Sequence, residues 1–141
     1  MKREIKFRAY SSHNHKMYPV SNIEWDIDGR IWVTADDGKN GIELIDEEAN
    51  LMQYTGLHDK NGQEIYEGDI LRVTTGEDGE SYVAIVKWFG DEDYPAFDLE
   101  GIPAAWNYDA NALATIFQSG VETCEVIGNI FEDKQLLEGK P

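Results

Sequence analysis

Three histidines carry the side chains best suited to metal binding or acid–base chemistry. His13 and His15 stand two residues apart, and on a strand that spacing places both rings on one face, as a metal pair requires. His58 precedes Asp59, and a histidine beside a carboxylate could serve as a general base. However, the chain has a single cysteine and therefore no thiol cluster, and adjacent residues in a turn more often bind backbone groups. We expect neither a metal site nor a catalytic site at these histidines.

Acidic turns that contain glycine form a second group of candidate ligands. They are Asp26–Gly29, Asp36–Gly41 and Asp59–Gly62. A calcium-binding EF-hand loop needs oxygen ligands at positions 1, 3 and 5, a glycine at 6 and a glutamate at 12. Counted from Asp59, positions 6 and 12 hold Glu64 and Ile70. Counted from Asp36, Gly41 and Glu47 fall at positions 6 and 12, but Gly38 at position 3 has no oxygen side chain and the segment should be a strand, so turn chemistry explains the segments better. Because phosphate-binding glycine loops and serine-nucleophile elbows are also missing from the sequence, we predict no metal, no cofactor and no enzymatic activity.

The charge of the chain is strongly acidic and unevenly distributed. Twenty-eight acidic and twelve basic side chains give a formal net charge of −16 and an isoelectric point near 4.3. The first 16 residues carry +4, so the remainder carries −20. Such a body repels nucleic acid and anionic membranes, and we expect the protein to bind neither. Apolar and basic residues alternate from Ile5 to Arg8, which favours an edge strand protected by positive charge over a nucleic-acid-binding arm.

Short alternating segments separated by turns predict a mainly β chain. Two of these segments flank Asp28-Gly29, a strong hairpin signal. The predicted strands cover 5–10, 16–20, 22–27, 30–34, 41–45, 69–73, 81–89, 96–99 and 122–127. Helical spacing of Ala110, Leu113 and Ile116 predicts a helix over 109–118, and a short helical turn is predicted at 133–137.

The predicted elements divide the chain into two small parts and a connector. We place a small N-terminal β-sheet module at 1–50, a connector at 51–63, and a partly open SH3-like β-barrel with one or two short helices at 64–141. A 50-residue β module buries little surface by itself, so the first part should pack on the second or on another subunit.

The segment 81–89 is apolar on both faces, which is typical of a strand that is covered on both sides. We therefore predict Ile85, Val86 and Trp88 in the core of the second part. The four tryptophans could stack nucleic-acid bases, but in so acidic a chain they are better interpreted as core or interface residues.

Three stretches of the sequence carry a family resemblance. They are Ile5–Tyr10 (IKFRAY), Leu51–Ile70 (LMQYTGLHDKNGQEIYEGDI) and Glu125–Glu132 (EVIGNIFE), the last followed by Leu136 and Leu137. Together they resemble the YopX family of phage and prophage proteins, although the segment 101–119 is longer than the family's typical connection. The resemblance implies a mainly β protein found in a phage or its bacterial host, and it implies no particular chemistry.

The location of the protein is predicted from what the sequence lacks. Cys124 is the only thiol, the first residues have no apolar signal core, and no apolar run approaches the roughly 18 residues of a membrane helix. We expect a protein of the bacterial cytoplasm without a membrane association.

These features favour a non-enzymatic interaction protein that binds another protein and also itself. Lys6, Arg8 and the acidic turn Asp91, Glu92 and Asp93 are the predicted partner-binding residues. The acidic turn with Asp98 and Glu100 could instead bind a divalent ion, but a solvated hairpin end explains these carboxylates better than an ion site does. The alternative is an acidic decoy that imitates DNA and occupies a nucleic-acid-binding protein of the host. Salt separates the two hypotheses, because screening weakens charge-based binding more than apolar binding.

Overall fold

The protein consists of two compact units, Met1–Tyr54 and Thr55–Pro141. The structure is a computed structural model, and it describes residues 6–36, 41–75, 79–90, 96–102, 111–119 and 122–137, without the side chains of 118 and 119. The prediction of a mainly β fold is confirmed, since strands dominate the described residues. None of the helices in these ranges is long and apolar enough to cross a membrane.

The described residues form ten strands, one α-helix and two 3₁₀ helices. The strands are β1 (Phe7–Ser11), β2 (Lys16–Trp25), β3 (Ile31–Asp36), β4 (Gly41–Ile45), β5 (Ala49–His58), β6 (Glu64–Tyr66), β7 (Asp69–Thr75), β8 (Ser81–Phe89), β9 (Ala96–Glu100) and β10 (Glu122–Asn129). The α-helix is α1 (Ala112–Ser119), and the 3₁₀ helices are Asp46–Glu48 and Lys134–Leu137.

The first unit is an antiparallel sheet with the strand order β4-β3-β2-β1-β5. Successive side chains of a strand point to opposite faces, and one face of this sheet carries the apolar residues. Its core consists of Ala9, Tyr18, Val33, Ala35 and Leu44.

The basic strand at the start of the chain is an interior strand. β1 pairs with β2 on one side and with β5 on the other, so the edge-strand interpretation is wrong. The alternation of Lys6 and Arg8 with apolar residues gives the period of a strand but not its position in the sheet, because the position depends on which distant segments pair with it. Positive charge on β1 therefore does not protect a sheet edge.

The second unit contains an antiparallel sheet with the strand order β10-β7-β8-β9. Within the described residues this sheet is open and does not close into a barrel. The core lies between its strands and α1, and it includes Ile65, Leu71, Val73, Tyr82, Val86, Leu99, Leu113, Ile116 and Cys124.

Polar side chains set the start of α1. Asn111 Oδ1 accepts the backbone N–H of Ala114 at 2.8 Å, and Asp98 Oδ1 accepts that of Leu113 at 3.1 Å. These bonds satisfy helix donors that have no intrahelical partner. They also tie α1 to β9, on which Asp98 lies, so that Leu113 and Ile116 are buried.

Two parts of the sequence-based prediction differ from the structure. The segment predicted as a connector, 51–63, is strand β5 as far as His58 and then a tight loop. Of the three predicted core residues of β8, Val86 is buried, Ile85 is half-buried and Trp88 is 52% exposed. The prediction for Trp88 is wrong because this residue lies near the end of β8 and its ring does not enter the core. The ring instead contacts Phe97 edge-on, with 5.1 Å between the two ring centroids.

Candidate functional site

Two hairpin loops, one in each unit, share a five-residue pattern. The N-terminal hairpin loop is Asp26–Arg30 (DIDGR), and the C-terminal hairpin loop is Asp59–Gln63 (DKNGQ). In both, the backbone N–H of the first residue donates to the carbonyl of the fifth, and the N–H of the fourth, a glycine, donates to the carbonyl of the first. The glycine φ is 84° in the N-terminal hairpin loop and 82° in the C-terminal one. Glycine is favoured there because a side chain would strain the left-handed conformation.

The first aspartate of each loop fixes its shape with one carboxylate oxygen. Asp26 Oδ1 accepts the N–H groups of Asp28 and Arg30, both at 2.9 Å. Asp59 Oδ1 accepts those of Asn61 and Gln63, also at 2.9 Å. The interpretation of these segments as turns is therefore supported by the structure, and these oxygens serve the backbone of the chain.

The second carboxylate oxygen ties each loop to a neighbouring strand. Asp26 Oδ2 accepts the indole N–H of Trp32 at 3.0 Å and lies 3.6 Å from Arg30 Nε. The Trp32 bond, the backbone bonds and Arg30 lower the pKa of Asp26 below its ordinary value. The carboxylate therefore stays ionised and holds both the loop and the indole in place.

Asp59 acts in the same way inside the second unit. Its Oδ2 accepts the N–H of Val126 on β10 at 2.9 Å, while the Lys60 N–H donates to the carbonyl of Cys124. Burial by itself raises the pKa of Asp59, but the N–H donors of Val126, Gln63 and Asn61 outweigh it and lower the pKa below its ordinary value. This residue is a structural anchor for β10.

The loops differ in the residue that follows the aspartate. In the N-terminal hairpin loop this residue is Ile27, which is 100% exposed, and in the C-terminal hairpin loop it is Lys60. Because Lys60 occupies the same position in the same backbone geometry, the turn does not require an apolar residue there. An isoleucine held fully in solvent on a rigid loop therefore has no structural explanation in the loop itself.

Ile27 lies beside an aromatic cleft of the first unit. Trp25, the last residue of β2, is 65% exposed, and together with Glu24, Asp26 and Trp32 it lines a cleft of about 410 Å³. We call residues 24–30 with Trp32 the hairpin tip. It combines exposed apolar side chains with acidic groups on a loop whose backbone is held by hydrogen bonds, and exposed apolar groups rimmed by polar ones are typical of a binding surface.

The N-terminal histidines belong to a different arrangement. The Glu48 carboxylate accepts a hydrogen bond from Ser11 Oγ at 2.8 Å and lies 3.6 Å from His13 Nδ1. His15 Nδ1 instead lies 3.4 Å from the hydroxyl of Tyr10. The two rings therefore have different partners. In the described ranges, no three histidine, cysteine, aspartate or glutamate side chains are grouped so that they could hold a metal ion.

The predicted partner-binding residues are not brought together among the described residues. Lys6 and Arg8 are half-buried in the first unit, and Lys6 Nζ lies 5.3 Å from the centre of the Tyr54 ring. Asp91, Glu92 and Asp93 lie outside the described residues. Their role in partner binding stays a prediction.

Polar side chains of two of the family motifs, Leu51–Ile70 and Glu125–Glu132, accept hydrogen bonds from backbone N–H groups in the second unit. Buried Asp69 accepts the Tyr66 N–H at 2.7 Å, and buried Asn129 accepts the N–H groups of Phe131 and Glu132 at 3.0 and 2.9 Å. Asp69 and Asn129 are paired across β7 and β10. The two motifs therefore meet in space, and these side chains shape the turns beside β7 and β10.

The fold and these loops define a two-unit, mainly antiparallel β protein. Its structure resembles the crystal structure of protein EF1440 from Enterococcus faecalis, with a TM-score of 0.60 and 23% identity over 97% of this chain and 100% of that one. It also resembles the crystal structure of protein yopX from Bacillus subtilis, with a TM-score of 0.58 and 18% identity over 94% and 98% of the two chains.

The family follows from the sequence. The family model described as YopX protein matches residues 6–138, and the chain belongs to the YopX family. The resemblance noted from the three motifs is thus confirmed. No curated protein matches the chain.

The sequence-based interpretation did not single out the hairpin tip. It assigned Trp25 and Trp32 to a core or an interface and treated Asp26–Gly29 only as a turn. A signal was present in the sequence, because the two loops can be aligned residue by residue and only one has an isoleucine after its aspartate. What the sequence did not show is that both loops have the same hydrogen bonds, which makes Lys60 a valid reference for Ile27.

Proposed function

We propose that the protein is a non-enzymatic interaction protein, of phage or prophage origin, which binds a protein partner through the hairpin tip. The observation that supports this proposal most strongly is the full exposure of Ile27 on a loop whose twin has a lysine at the same position. Apolar residues in such a place add nothing to the fold, but they contribute to binding when a partner removes them from water.

The rigidity of the hairpin tip supports binding further. Asp26 holds the loop backbone and the Trp32 indole through three hydrogen bonds of 2.9 to 3.0 Å. A surface that is ordered before binding loses little conformational entropy when a partner docks. The exposed side chains are thus presented in a defined arrangement rather than on a loose turn.

Partner capture with matched variants tests the proposal. The full chain is immobilised and exposed to a bacterial lysate, and the captured proteins are quantified for the wild type, Ile27→Ser and Lys60→Ser. Both substitutions place serine at the same loop position, so both variants should retain the fold, which circular dichroism checks. We expect Ile27→Ser to reduce capture of a specific partner about ten-fold or more, as for a central contact residue, and Lys60→Ser to leave it unchanged. Equal capture by all three proteins would refute the role of the hairpin tip.

The charge distribution favours a second candidate, the DNA-imitating decoy. Residues 55–141 carry 18 acidic and 5 basic side chains, a net charge of −13, whereas residues 1–54 carry 10 and 7, a net charge of −3. Most of the acidity therefore belongs to the second unit, where a decoy surface would have to lie. For a decoy, capture should be insensitive to Ile27→Ser and should disappear when salt rises from about 50 to about 500 mM.

A further inference from the structure

The chemistry of the cleft at the hairpin tip restricts what it can bind. Its lining consists of two tryptophans and two carboxylates, Glu24 and Asp26. Residues 24–30 contain three acidic side chains and Arg30, a net charge of −2. An anionic ligand would meet like charge, and a purely apolar ligand would cover carboxylates without compensating for their hydration.

Trp32 offers the ligand its ring rather than its polar atom. Indole has a single hydrogen-bond donor, and in Trp32 this N–H already donates to Asp26 Oδ2 at 3.0 Å. What remains for a ligand is the face of the ring, which carries partial negative charge and attracts cations. Trp32 lies directly opposite Glu24 on the neighbouring strand, so its ring and this carboxylate share one face of the sheet, whereas Trp25 is opposite Ile31 and lies on the other face.

We propose that this cleft binds an arginine side chain of the partner protein, with Glu24 as its counter-ion and the Trp32 ring as its stacking surface. This inference rests on the proposed function and specifies the chemistry of the partner at the same site. A guanidinium suits the cleft better than an ammonium, because it is planar, weakly hydrated and able to stack on an indole while it binds a carboxylate. The fully exposed Ile27 lies beside the cleft along the chain, so an apolar residue next to the arginine completes the recognised segment.

The inference is tested with a short synthetic peptide on the full chain. The probe is the capped peptide Ac-Gly-Leu-Arg-Leu-Gly-amide, and the control peptide contains citrulline in place of arginine. Citrulline has nearly the same shape but no charge. The four tryptophan indole N–H signals are followed by NMR during titration, and tryptophan-to-phenylalanine variants assign them. We expect the arginine peptide to shift the signal of Trp32 with a dissociation constant in the millimolar range. We expect the citrulline peptide to bind at least about five-fold more weakly.

Two charge variants make the test specific to Glu24. Glu24→Gln removes the counter-ion, whereas Glu47→Gln removes the same charge from an exposed position outside the cleft. We expect the first variant to weaken binding of the arginine peptide about five-fold and the second to leave it within about two-fold of the wild type. Shifts confined to the other three indoles, equal binding of both peptides, or no shift at about 10 mM peptide would each overturn the inference.

The result of the peptide titration can be distinguished from the result of partner capture, which tests the proposed function. If partner capture depends on Ile27 but the arginine peptide fails these criteria, the hairpin tip is a docking surface for a partner of another chemistry. If the peptide binds as expected but capture is insensitive to Ile27, the cleft recognises arginine and the proposed function is wrong. Concentration-dependent dimerisation that Glu24→Gln abolishes would identify a second copy as the occupant and would also overturn the inference of a separate partner.

Discussion

Replacement of Asp59 by asparagine should destabilise the second unit by about 2 to 3 kcal/mol. The carboxylate is only 6% exposed and accepts three backbone hydrogen bonds of 2.9 Å, from Asn61, Gln63 and Val126. An amide can replace one of the two oxygens but not both. If the amide oxygen faces the loop, the amide NH₂ group faces the Val126 N–H. Two donors cannot bond to each other, so the charge-assisted hydrogen bond from Val126, worth about 1.5 to 3 kcal/mol, is lost. Relief of the burial of a charge offsets part of this loss.

Urea unfolding and amide hydrogen exchange measure the effect. The free energy of unfolding should fall by the amount stated, and the Val126 amide should exchange faster in Asp59→Asn than its β10 neighbours do. Asp28→Asn is the matched control, because it removes one charge from the twin loop at an exposed residue, and it should change stability by less than about 0.5 kcal/mol.

The pH dependence provides an independent check with a defined sign. The pKa of Asp59 in the folded protein lies below its ordinary value of 3.8, so this group contributes stability above pH of about 4 and loses that contribution as the pH falls further. The difference between wild type and Asp59→Asn should therefore shrink below about pH 4. A difference that stays constant from pH 7 to pH 3, or a variant as stable as the wild type with an unchanged Val126 amide, would refute the anchoring role.

Two further predictions concern β8 and β10. Trp88→Ala should cost about 1 to 2 kcal/mol in urea unfolding, since the ring is 52% exposed and its edge-on contact with Phe97 accounts for about 0.5 to 1.5 kcal/mol; a loss above about 3 kcal/mol would show that the ring is buried. The thiol of Cys124 should react with a thiol reagent at pH 8 at least about 100-fold more slowly in the folded protein than in urea, because burial and the charge of Asp59 raise its pKa to about 11. Rapid stoichiometric labelling of the folded protein would contradict this.

Strand positions could be predicted closely because they depend on local alternation. The segments 41–45 and 81–89 are strands over the predicted residues, and the predicted helix begins three residues later than expected, at Ala112. The sequence predicts a connector over 51–63 because the Asn61-Gly62 turn signal dominates the pattern. In the structure, 51–58 forms most of β5, and residues 51–53 pair with β1. A strand whose alternation is weak can still form when a neighbouring strand supplies its hydrogen bonds.

Burial near the end of a strand could not be predicted in the same way. Val86 and Trp88 lie on the same face of β8 by period, yet Val86 is buried and Trp88 is not. Alternation decides which face a side chain occupies, but the packed elements above that face decide whether it is covered. The helix that contributes to this core packs on β9 and β10, and its position depends on the Asn111 and Asp98 caps.

The sequence by itself determined the mainly β class, the two turn loops, the acidic charge and the family, because these depend on residue types and on short-range periodicity. Only the tertiary structure decided that β1 is an interior strand, that Asp59 anchors β10 across 67 residues of chain, and that the two loops have the same hydrogen bonds. Pairing between distant segments is chosen by competition among many similar strands, and a local pattern does not encode its outcome. The candidate site depends on the tertiary structure in the same way. The exposure of Ile27 lacks a structural explanation only because Lys60 occupies the same position in a loop with the same hydrogen bonds.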